Sequence, residues 1–599
     1  MNKISVYALT FFLCLVGHPA IVEGQQSRVV ITNGQDGQVF YHTIEKGQTV
    51  YAIATMYGVS VEDIYRLNPG SREGIRAGAK LKIPQPDTVV APAATEAGAY
   101  TYHTIQPKET LYSLSVRYTV PATDIIAANP GLSTATFTIG KTIRIPATPP
   151  QALPTTQTVT VAKEIDYTIG KKETMYSLCR KFKISSTELI RRNPELKRGL
   201  KAGMVIKIPV EAQETVTREA ATPEESVVNA LLSAPKNSRH LSTIKAALML
   251  PFMTEEKTPS AATQRFIEYY EGLLLAIDSL RGQGCSIQLS VYDTGDGVKK
   301  IREILKEDDL QDVNLIIGAV HSNQIAPVAA FAKKKGIKYV IPFTSKNDDV
   351  LSNAAVFQVN TPHSYLYSKA AEAGCDLFSD YQIILLETPD KEEKKEFVKA
   401  FKAEMEARGV PYRQLAYQPQ TFAADMEAAL AADKRNVVVP TSGSLDVLNK
   451  IKSPLRMLAE TKPEYGLTLF GYPEWQTYTR DCLEDFYALN TYIYSNFYAD
   501  NLSAEVHNFY AKYKNWYSKN LINTYPKYGI LGFDTGMFFL GAMCREGMDF
   551  ENKLDRIQYP SIQTGFDFHR VNNWGGFINT QLFIVHYKND YTVTRTEVR

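Results

Sequence analysis

One short pattern occurs three times in the first third of the chain, and it limits how this region can fold. The motifs are Tyr41-His42-Thr43-Ile44, Tyr102-His103-Thr104-Ile105 and Asp166-Tyr167-Thr168-Ile169. In each copy an Asn-Pro pair follows, its Asn 26 residues beyond the second residue of the motif, and an Ile-Pro pair closes the unit. The Asn-Pro pairs are Asn68-Pro69, Asn129-Pro130 and Asn193-Pro194. Because the spacing from the motif to the Asn-Pro pair is the same in all three copies, the pattern indicates a tandem repeat of one small folding unit.

Each unit is predicted to fold as strand, helix, helix, strand. In the first copy Thr49 can cap a helix whose apolar face begins at Val50, and Gly58 can end that helix. Ser60 can open a second helix, which Pro69 stops. The second and third copies repeat this order of caps, apolar positions and breakers.

These repeats resemble the LysM (lysin motif) family. The run from Gly47 to Tyr51 is similar to that family's turn into its first helix, and Asn68-Pro69 is similar to its signature asparagine. The resemblance covers residues 39–84, 100–146 and 164–209. It implies three small βααβ domains that bind glycans containing N-acetylglucosamine, which in bacteria means peptidoglycan.

In that family the sugar lies in a shallow groove between the turn before the first helix and the loop after the second. The matching segments are residues 47–50 with 68–75, 108–111 with 129–132, and 172–175 with 193–196, which we call grooves one, two and three. The resemblance gives these candidate glycan-binding residues: Gly47, Gln48, Thr49, Val50, Asn68, Pro69, Ile75, Glu109, Thr110, Leu111, Asn129, Pro130, Glu173, Thr174, Met175, Asn193 and Pro194.

The chemistry of such a groove suits an acetylated sugar. Main-chain amides at a helix start can donate to the N-acetyl carbonyl, while Val50, Leu111 or Met175 packs against sugar C–H faces. The same residues could instead serve as helix caps and core positions, and the three Asn side chains could act purely within the turn. A millimolar site contributes about −4 kcal/mol, so three sites reaching one glycan would gain on the order of 10²–10⁴ in avidity.

The third copy is strongly basic. Residues 166–209 hold seven Lys and four Arg against four acidic residues, which gives a net charge of +7. This charge would favour the carboxylates of wall stem peptides or another anionic polymer. A solvated basic face is the alternative.

The first residues predict export from the cytoplasm. Lys3 precedes an apolar run that is too short to span a bilayer, and small residues follow near Gly24, so residues 1–24 are predicted to be a signal peptide. Phe-Phe-Leu before Cys14 is a poor lipidation box, so a secreted, periplasmic, wall-associated protein is expected without a lipid anchor. The five later cysteines are scattered and predict neither a disulfide framework nor a zinc site, although one or two chance pairs are possible.

The linkers are rich in Pro, Ala and Thr and are predicted to be extended spacers, with residues 210–242 joining the repeats to the C-terminal region. From residue 243 to 599, short apolar runs alternate with amphipathic helices. Continuous apolar runs such as residues 244–250, 315–318 and 437–440 are typical of strands buried on both faces of a parallel sheet. Two such series predict an α/β domain with two doubly wound lobes.

This region resembles the type I periplasmic binding proteins, especially the branched-chain amino-acid-binding branch. Residues 318–322, 341–345, 471–475 and 528–534 carry the resemblance. It implies a cleft ligand between the lobes, with Ser322, Thr344 and Ser345 at positions that bind it and Glu474 facing it from the second lobe. Phe252 stands where solute binders have a small loop, so an amino-acid ligand is doubtful, and similar lobes in an activator of wall-synthesis enzymes recognise a protein instead.

Motif searches favour a chain without catalytic activity, cofactor or metal. HExxH, GxSxG and HxH patterns do not occur in the sequence. The expected function is therefore non-catalytic peptidoglycan binding coupled to a domain that senses a ligand or regulates a wall-synthesis partner. The alternative is an amino-acid or small-solute-binding component of an uptake system, tethered to the wall by its repeats.

Overall fold

The computed structural model describes most of the chain. The described residues are 39–45, 47–84, 100–147, 157–182, 184–216, 224–233, 240–345, 347–390, 393–557, 559 and 561–598. The predicted signal peptide at residues 1–24 and much of the predicted spacers lie outside these ranges. Within them, every helix is too short or too polar to cross a bilayer.

Each repeat folds in the order predicted from its sequence, with two strands enclosing two helices. The first copy comprises β1 (Val39–Thr43), α1 (Val50–Tyr57), α2 (Val61–Leu67) and β2 (Lys80–Pro84). The second comprises β3 (Tyr100–Thr104), α3 (Leu111–Tyr118), α4 (Ala122–Ala128) and β4 (Thr142–Pro146). The third comprises β5 (Gln157–Thr168), α5 (Met175–Phe182), α6 (Ser186–Arg192) and β6 (Val205–Val216). The two strands of each copy form a two-stranded sheet.

A short helix, α7 (Glu225–Ala230), follows the third copy. The large domain then begins with a lobe whose sheet has the strand order β17-β18-β11-β10-β9-β7-β8. Its elements are β7 (Ile244–Leu250), α8 (Ala261–Gly282), β8 (Ile287–Asp293), α9 (Val298–Ile304), α10 (Asp308–Gln311), β9 (Leu315–Gly318), α11 (Ser322–Lys335), β10 (Lys338–Ile341) and β11 (Val356–Gln358). Five of these strands pair in parallel, as the apolar runs predicted.

The second lobe has the strand order β13-β12-β14-β15-β16-β19-β20. Its elements are α12 (His363–Leu377), β12 (Gln382–Glu387), α13 (Lys395–Arg408), β13 (Tyr412–Ala416), α14 (Phe422–Ala429), β14 (Asn436–Pro440), α15 (Leu445–Thr461), β15 (Leu467–Gly471), α16 (Thr479–Ala488) and β16 (Tyr492–Ser495). After α17 (Ala504–Tyr517) and α18 (Tyr528–Glu546), the chain returns to the first sheet and then to the second. The returning strands are β17 (Phe568–Arg570), β18 (Phe577–Asn579), β19 (Leu582–Tyr587) and β20 (Val593–Val598). The predicted two-lobed, doubly wound α/β domain is thus confirmed.

Helices α8 and α18 pack closely because glycines lie at their contact. A Cβ on Gly272 would lie 1.8 Å from the carbonyl oxygen of Gly529, and one on Gly532 would lie 2.0 Å from that of Tyr269. These distances are far inside van der Waals contact, so only glycine permits this approach. The Gly-containing run at residues 528–534 therefore serves helix packing.

The first repeat is docked on the large domain through aromatic rings. The ring centroids of Tyr57 and Trp574 are 5.8 Å apart, and those of Tyr102 and Trp574 are 5.5 Å apart. Phe40 packs edge-on to Tyr57 at 4.8 Å. Trp574 is only 2% exposed, so this cluster belongs to one continuous core with β9 and β10 of the first lobe.

One disulfide occurs among the described residues. Cys285, just before β8, is bonded to Cys544 near the end of α18, across a sequence separation of 259. Cys375 and Cys482 are free and buried, and Cys179 is free and partly exposed. A single structural pair agrees with the predicted lack of a disulfide framework, and it fits an oxidising compartment.

The aromatic docking of the first repeat can be tested with Trp574→Ala. Because the substitution empties a buried site shared by the repeat and the first lobe, we expect unfolding free energy to fall by about 3–5 kcal/mol. Urea denaturation of the full chain measures this loss. The matched control is Trp516→Ala, since that ring is 49% exposed and its truncation should cost no more than about 0.5 kcal/mol. Equal losses in the two variants would contradict the docking role.

Candidate functional site

The turn before the first helix has the same backbone in all three copies although its sequence differs. Gly47, Lys108 and Lys172 occupy equivalent positions with φ angles of 82°, 69° and 79°. Such positive φ values favour glycine, yet Lys adopts them in the second and third copies. The backbone of the turn is therefore preserved when Gly-Gln becomes Lys-Glu.

The residue after this position closes the turn with its side chain. Gln48 Oε1 accepts a hydrogen bond from the Glu45 amide at 2.9 Å. The carboxylates of Glu109 and Glu173 accept the equivalent bonds from the amides of Gln106 and Gly170, each at 2.8 Å. In the third copy the Gly170 amide and then the Tyr167 hydroxyl lower the pKa of the Glu173 carboxyl. Each of these three side chains thus accepts a main-chain hydrogen bond that closes its turn.

The predicted threonine caps are confirmed. The hydroxyl of Thr49 accepts from the Ala52 amide at 3.1 Å, that of Thr110 from the Ser113 amide at 3.1 Å, and that of Thr174 from the Ser177 amide at 3.2 Å. Each cap satisfies one of the free amides at the helix start. The amide of the helix's second residue has no acceptor within the helix.

The asparagine after the second helix joins that helix to the closing strand. In the third copy, Asn193 Oδ1 accepts from the Lys207 amide at 2.7 Å, and its Nδ2 donates to the Leu189 carbonyl at 2.9 Å and the Lys207 carbonyl at 2.8 Å. Asn68 and Asn129 make the same three bonds in their copies. We call this arrangement the asparagine clamp. Because both amide hydrogens and the carbonyl are used internally, the side chain acts within the repeat, as the structural alternative held.

The apolar positions predicted to contact sugar differ in exposure. Val50 and Leu111 are buried, Leu111 completely, whereas Met175 is only half-buried. Ile75 is half-buried within the docked core of the first copy. Pro69 and Pro194 are exposed at the start of one-turn helices after the clamp, and Pro130 is half-buried in the equivalent loop. Val50 and Leu111 can therefore contact a sugar only if the residues packed over them move.

Groove one lies against the large domain. A Cβ on Gly47 would lie 2.8 Å from Tyr365 Cα, which places the turn directly on the first residues of α12. On the other side of the groove, Lys399 of α13 donates to the carbonyl of Glu73. The hydroxyl of Tyr51 also donates to Asp348 at 3.1 Å. Both sides of groove one thus contact the large domain.

Groove two is covered by the short segment that includes α7. The Tyr112 amide donates to Asn229 Oδ1 at 3.1 Å, and the Thr134 amide donates to the Leu232 carbonyl at 3.3 Å. Tyr112 is the second residue of α3, and Thr134 lies five residues beyond Asn129 in the loop after α4. Tyr112 and Thr134 lie within two residues of the two segments that define groove two. Residues 224–233, which we call the covering segment, therefore bond to the chain beside both sides of this groove.

Groove three has exposed walls. Lys172 and Thr174 are exposed on the turn side, and Lys197 and Arg198 are exposed on the loop side. Tyr176, the second residue of α5, is 76% exposed. Tyr176 is the equivalent of Tyr112, whose amide donates to Asn229 in the second copy. In the third copy this residue is accessible.

Sequence reasoning missed the tyrosine in the second position of the first helix. Tyr51, Tyr112 and Tyr176 all occupy this position. Alignment of the three copies carried the signal, because Val50-Tyr51, Leu111-Tyr112 and Met175-Tyr176 repeat an apolar residue followed by Tyr. An amphipathic ring at the rim of a sugar groove is a suitable contact for a pyranose face.

The predicted cleft residues of the first lobe lie at the carboxyl ends of its strands. Ser322 is exposed at the start of α11, and Thr344 and Ser345 are half-buried after β10. Phe252 packs edge-on to Tyr270 with ring centroids 5.7 Å apart, and Phe343 stacks on Tyr528 at 5.7 Å. All four rings are partly exposed, so this edge of the sheet is largely aromatic.

In the second lobe, Glu474 is paired within its own lobe. Its carboxylate forms an ion pair with Lys394, which also pairs with Glu393 at 3.1 Å. Burial opposes the charge on Lys394, but the two carboxylates outweigh it and raise the pKa of the ammonium group. The carboxylate predicted to face a cleft ligand is therefore already neutralised.

Comparison with known proteins identifies the repeats. The LysM domain family model matches residues 42–84, 103–146 and 167–209, so the chain contains three LysM domains, as predicted. A stretch of 109 residues is 31% identical to the putative sporulation-specific glycosylase YdhD of Bacillus subtilis, covering 18% of this chain and 22% of that protein. A stretch of 53 residues is 45% identical to the probable endopeptidase p60 of Listeria innocua, covering 9% of this chain and 11% of that protein. The chain thus spans about a fifth and about a tenth of these curated relatives.

Solved structures are similar to the large domain at low identity. A putative branched-chain amino acid ABC transporter from Rhodospirillum rubrum aligns over 59% of this chain and 100% of its own length, with 14% identity and a TM-score of 0.44. An ABC transporter substrate-binding protein from Desulfitobacterium hafniense, in complex with Leu, aligns over 59% and 100%, with 15% identity and a TM-score of 0.36.

The clamp predicts a local stability effect. Asn193→Ala leaves the Lys207 amide and two carbonyls without their partner, so we expect the third copy to lose about 2–4 kcal/mol. Hydrogen exchange followed by mass spectrometry on the full chain should show faster exchange confined to residues 167–209. Lys197→Ala, on an exposed residue of the same loop, is the control and should leave exchange unchanged. Unchanged exchange in the Asn193 variant would show that the clamp is dispensable.

Proposed function

We propose that the chain is a non-catalytic, extracytoplasmic peptidoglycan-binding protein, and that groove three is its first point of attachment to glycan containing N-acetylglucosamine. One observation carries this proposal. Groove three has the same turn, caps and clamp as the other two copies, and its walls are exposed. The main-chain amide of Tyr176 can donate to an N-acetyl carbonyl there, with the half-buried Met175 beneath the sugar ring.

The charge around groove three supports attachment to an anionic wall polymer. Part of the basic surface is paired internally, because Arg191 and Arg192 both donate to the Glu188 carboxylate. These hydrogen bonds, first from Arg191 and then from Arg192, lower the pKa of Glu188 to about 2. Lys172, Lys197 and Arg198 remain exposed beside the groove. These three cations can attract the carboxylates of stem peptides that project from the glycan.

The state of the other grooves limits the strength of this attachment. One shallow site contributes about −4 kcal/mol at millimolar affinity. Three sites on one glycan would gain on the order of 10²–10⁴ in avidity. Because grooves one and two are covered, this gain is reached only when both of them open. The covered state is therefore a weakly attached one.

For the large domain we propose recognition of a protein partner of wall synthesis. The aromatic edge formed by Phe252, Tyr270, Phe343 and Tyr528 supports this, since aromatic rings are favoured at protein interfaces. The pairing of Glu474 with Lys394 leaves no unpaired carboxylate at that position for an amino-acid ammonium group. The alternative is a solute-binding component of an uptake system, which the polar residues Ser322, Thr344 and Ser345 at the same edge would serve.

Wall attachment is tested by retention on purified peptidoglycan. The chain from residue 25 to 599 should be retained, and a chain lacking residues 39–209 should not. Tyr176→Ala should lower retention of the longer chain about fivefold to tenfold, which corresponds to roughly 1 kcal/mol. Tyr591→Ala is the matched control, because Tyr591 is an exposed tyrosine of the large domain.

Two outcomes would count against the proposal. Equal retention of the longer and shorter chains would place wall binding outside the repeats. Equal loss for the Tyr176 and Tyr591 variants would remove groove three as the point of attachment.

A further inference from the structure

We propose that the covering segment, residues 224–233, is an intramolecular ligand of groove two, and that the carboxamide of Asn229 takes the place of a sugar acetamido group. The second LysM domain would then bind glycan only after this segment leaves. The inference rests on the proposed function of the repeats as glycan-binding domains. It assigns to groove two a partner of defined chemistry, a segment of this same chain.

The first step of the argument concerns the helix side of the groove. The Tyr112 amide, at the second position of α3, donates to Asn229 Oδ1 at 3.1 Å. A free amide at this position is the donor expected to hold an N-acetyl carbonyl. The side chain of Asn ends in a carboxamide, whose carbonyl oxygen is the same kind of acceptor as that of an acetamido group.

The second step concerns the loop side. The Thr134 amide donates to the main-chain carbonyl of Leu232 at 3.3 Å. The Thr110 hydroxyl, which caps α3, also lies 3.4 Å from a carboxylate oxygen of Glu225 and donates to it. The covering segment therefore satisfies donors on both sides of groove two.

The third step concerns the apolar contact. Helix α7 packs against α3. Val228 is 5% exposed, whereas its neighbour Val227 is 59% exposed, so one face of α7 is buried and the other faces solvent. Burial of an apolar side chain beside two amide hydrogen bonds reproduces the combination that a sugar C–H face and its acetamido group would supply.

Comparison of the copies shows that one loop position is contacted in both of the covered grooves. The fifth residue after the clamp asparagine is Glu73 in the first copy, Thr134 in the second and Arg198 in the third. The carbonyl of Glu73 accepts from Lys399 and the amide of Thr134 donates to Leu232, while Arg198 is exposed. The same loop position is thus contacted in both covered copies, although the residues that contact it, Lys399 and Leu232, belong to unrelated segments.

The covering segment is tethered to the repeat it covers, so it competes at a high effective concentration. The apparent affinity of groove two for glycan is the intrinsic affinity multiplied by the fraction of molecules with the groove open. Weakening the segment should therefore raise binding at groove two without altering groove three.

The test compares the full chain with Asn229→Ala and with the Asn229→Ala, Val228→Ser double variant. The probe is an N-acetylglucosamine tetramer, and the readouts are calorimetric stoichiometry and hydrogen exchange by mass spectrometry. Val227→Ala is the matched control on the exposed face of α7. We expect one site in the starting chain and in the control, and two sites in the double variant, with an increase in affinity at groove two of about tenfold or more.

Hydrogen exchange shows whether each variant is folded and uncovered. Exchange should accelerate in peptides that contain Tyr112 and Thr134, while peptides from the core of the second copy keep their protection. Addition of the tetramer to the starting chain at high concentration should deprotect residues 224–233, because the sugar displaces them.

The outcomes separate the two proposals. If the starting chain binds at groove three and the uncovered double variant gains no second site, the intramolecular-ligand proposal is overturned and the proposed function stands. If no variant binds the tetramer at any groove, both are overturned. A second site that is also gained by Val227→Ala would show that its release does not depend on Asn229 and Val228, and would equally overturn the inference.

Discussion

The asparagine clamp is the interaction on which each repeat depends. A domain of this size has few core residues, and the third copy buries only six hydrophobic residues in its own cluster. Three hydrogen bonds from one side chain then hold the second helix to the closing strand. The clamp also fixes where the following loop begins, and that loop is one wall of the groove. The stability of the repeat and the position of this loop therefore depend on the same residue.

The three grooves are built alike, but different groups contact the residues on their two sides. A helix start presents amides that need acceptors, and an acceptor can come from water, from a sugar or from the protein. In the second copy the acceptors are Asn229 and Leu232 of the same chain. In the first copy the large domain contacts both walls through Tyr365 and Lys399. Three units with the same order of elements thus have three different environments.

Much of this architecture could be predicted from the sequence, because repeats and periodicity are local signals. The threonine caps, the order of elements in each copy and the parallel strands such as Ile244–Leu250 follow from short-range patterns. Strand β10 ends at Ile341, since Pro342 has no amide to donate to a ladder. The returning strands β17 to β20 were not predicted. They form two local hairpins, but the place of each hairpin in its sheet depends on the pairing of β18 with β11 and of β19 with β16, which are far apart in sequence. The covering of grooves one and two was likewise beyond prediction, since Tyr365, Lys399 and Asn229 carry no motif that links them to the repeats.

The bond between Cys285 and Cys544 has a consequence for the cleavage of this chain by proteases. It joins two points of the first lobe across 259 residues, a span that includes the whole of α12 to α17. A protease that cuts once inside this span divides the backbone but leaves two covalently joined pieces. The piece that bears the repeats then keeps hold of the piece that bears the C-terminal strands, so a nicked molecule stays in one place until the sulfur link is reduced.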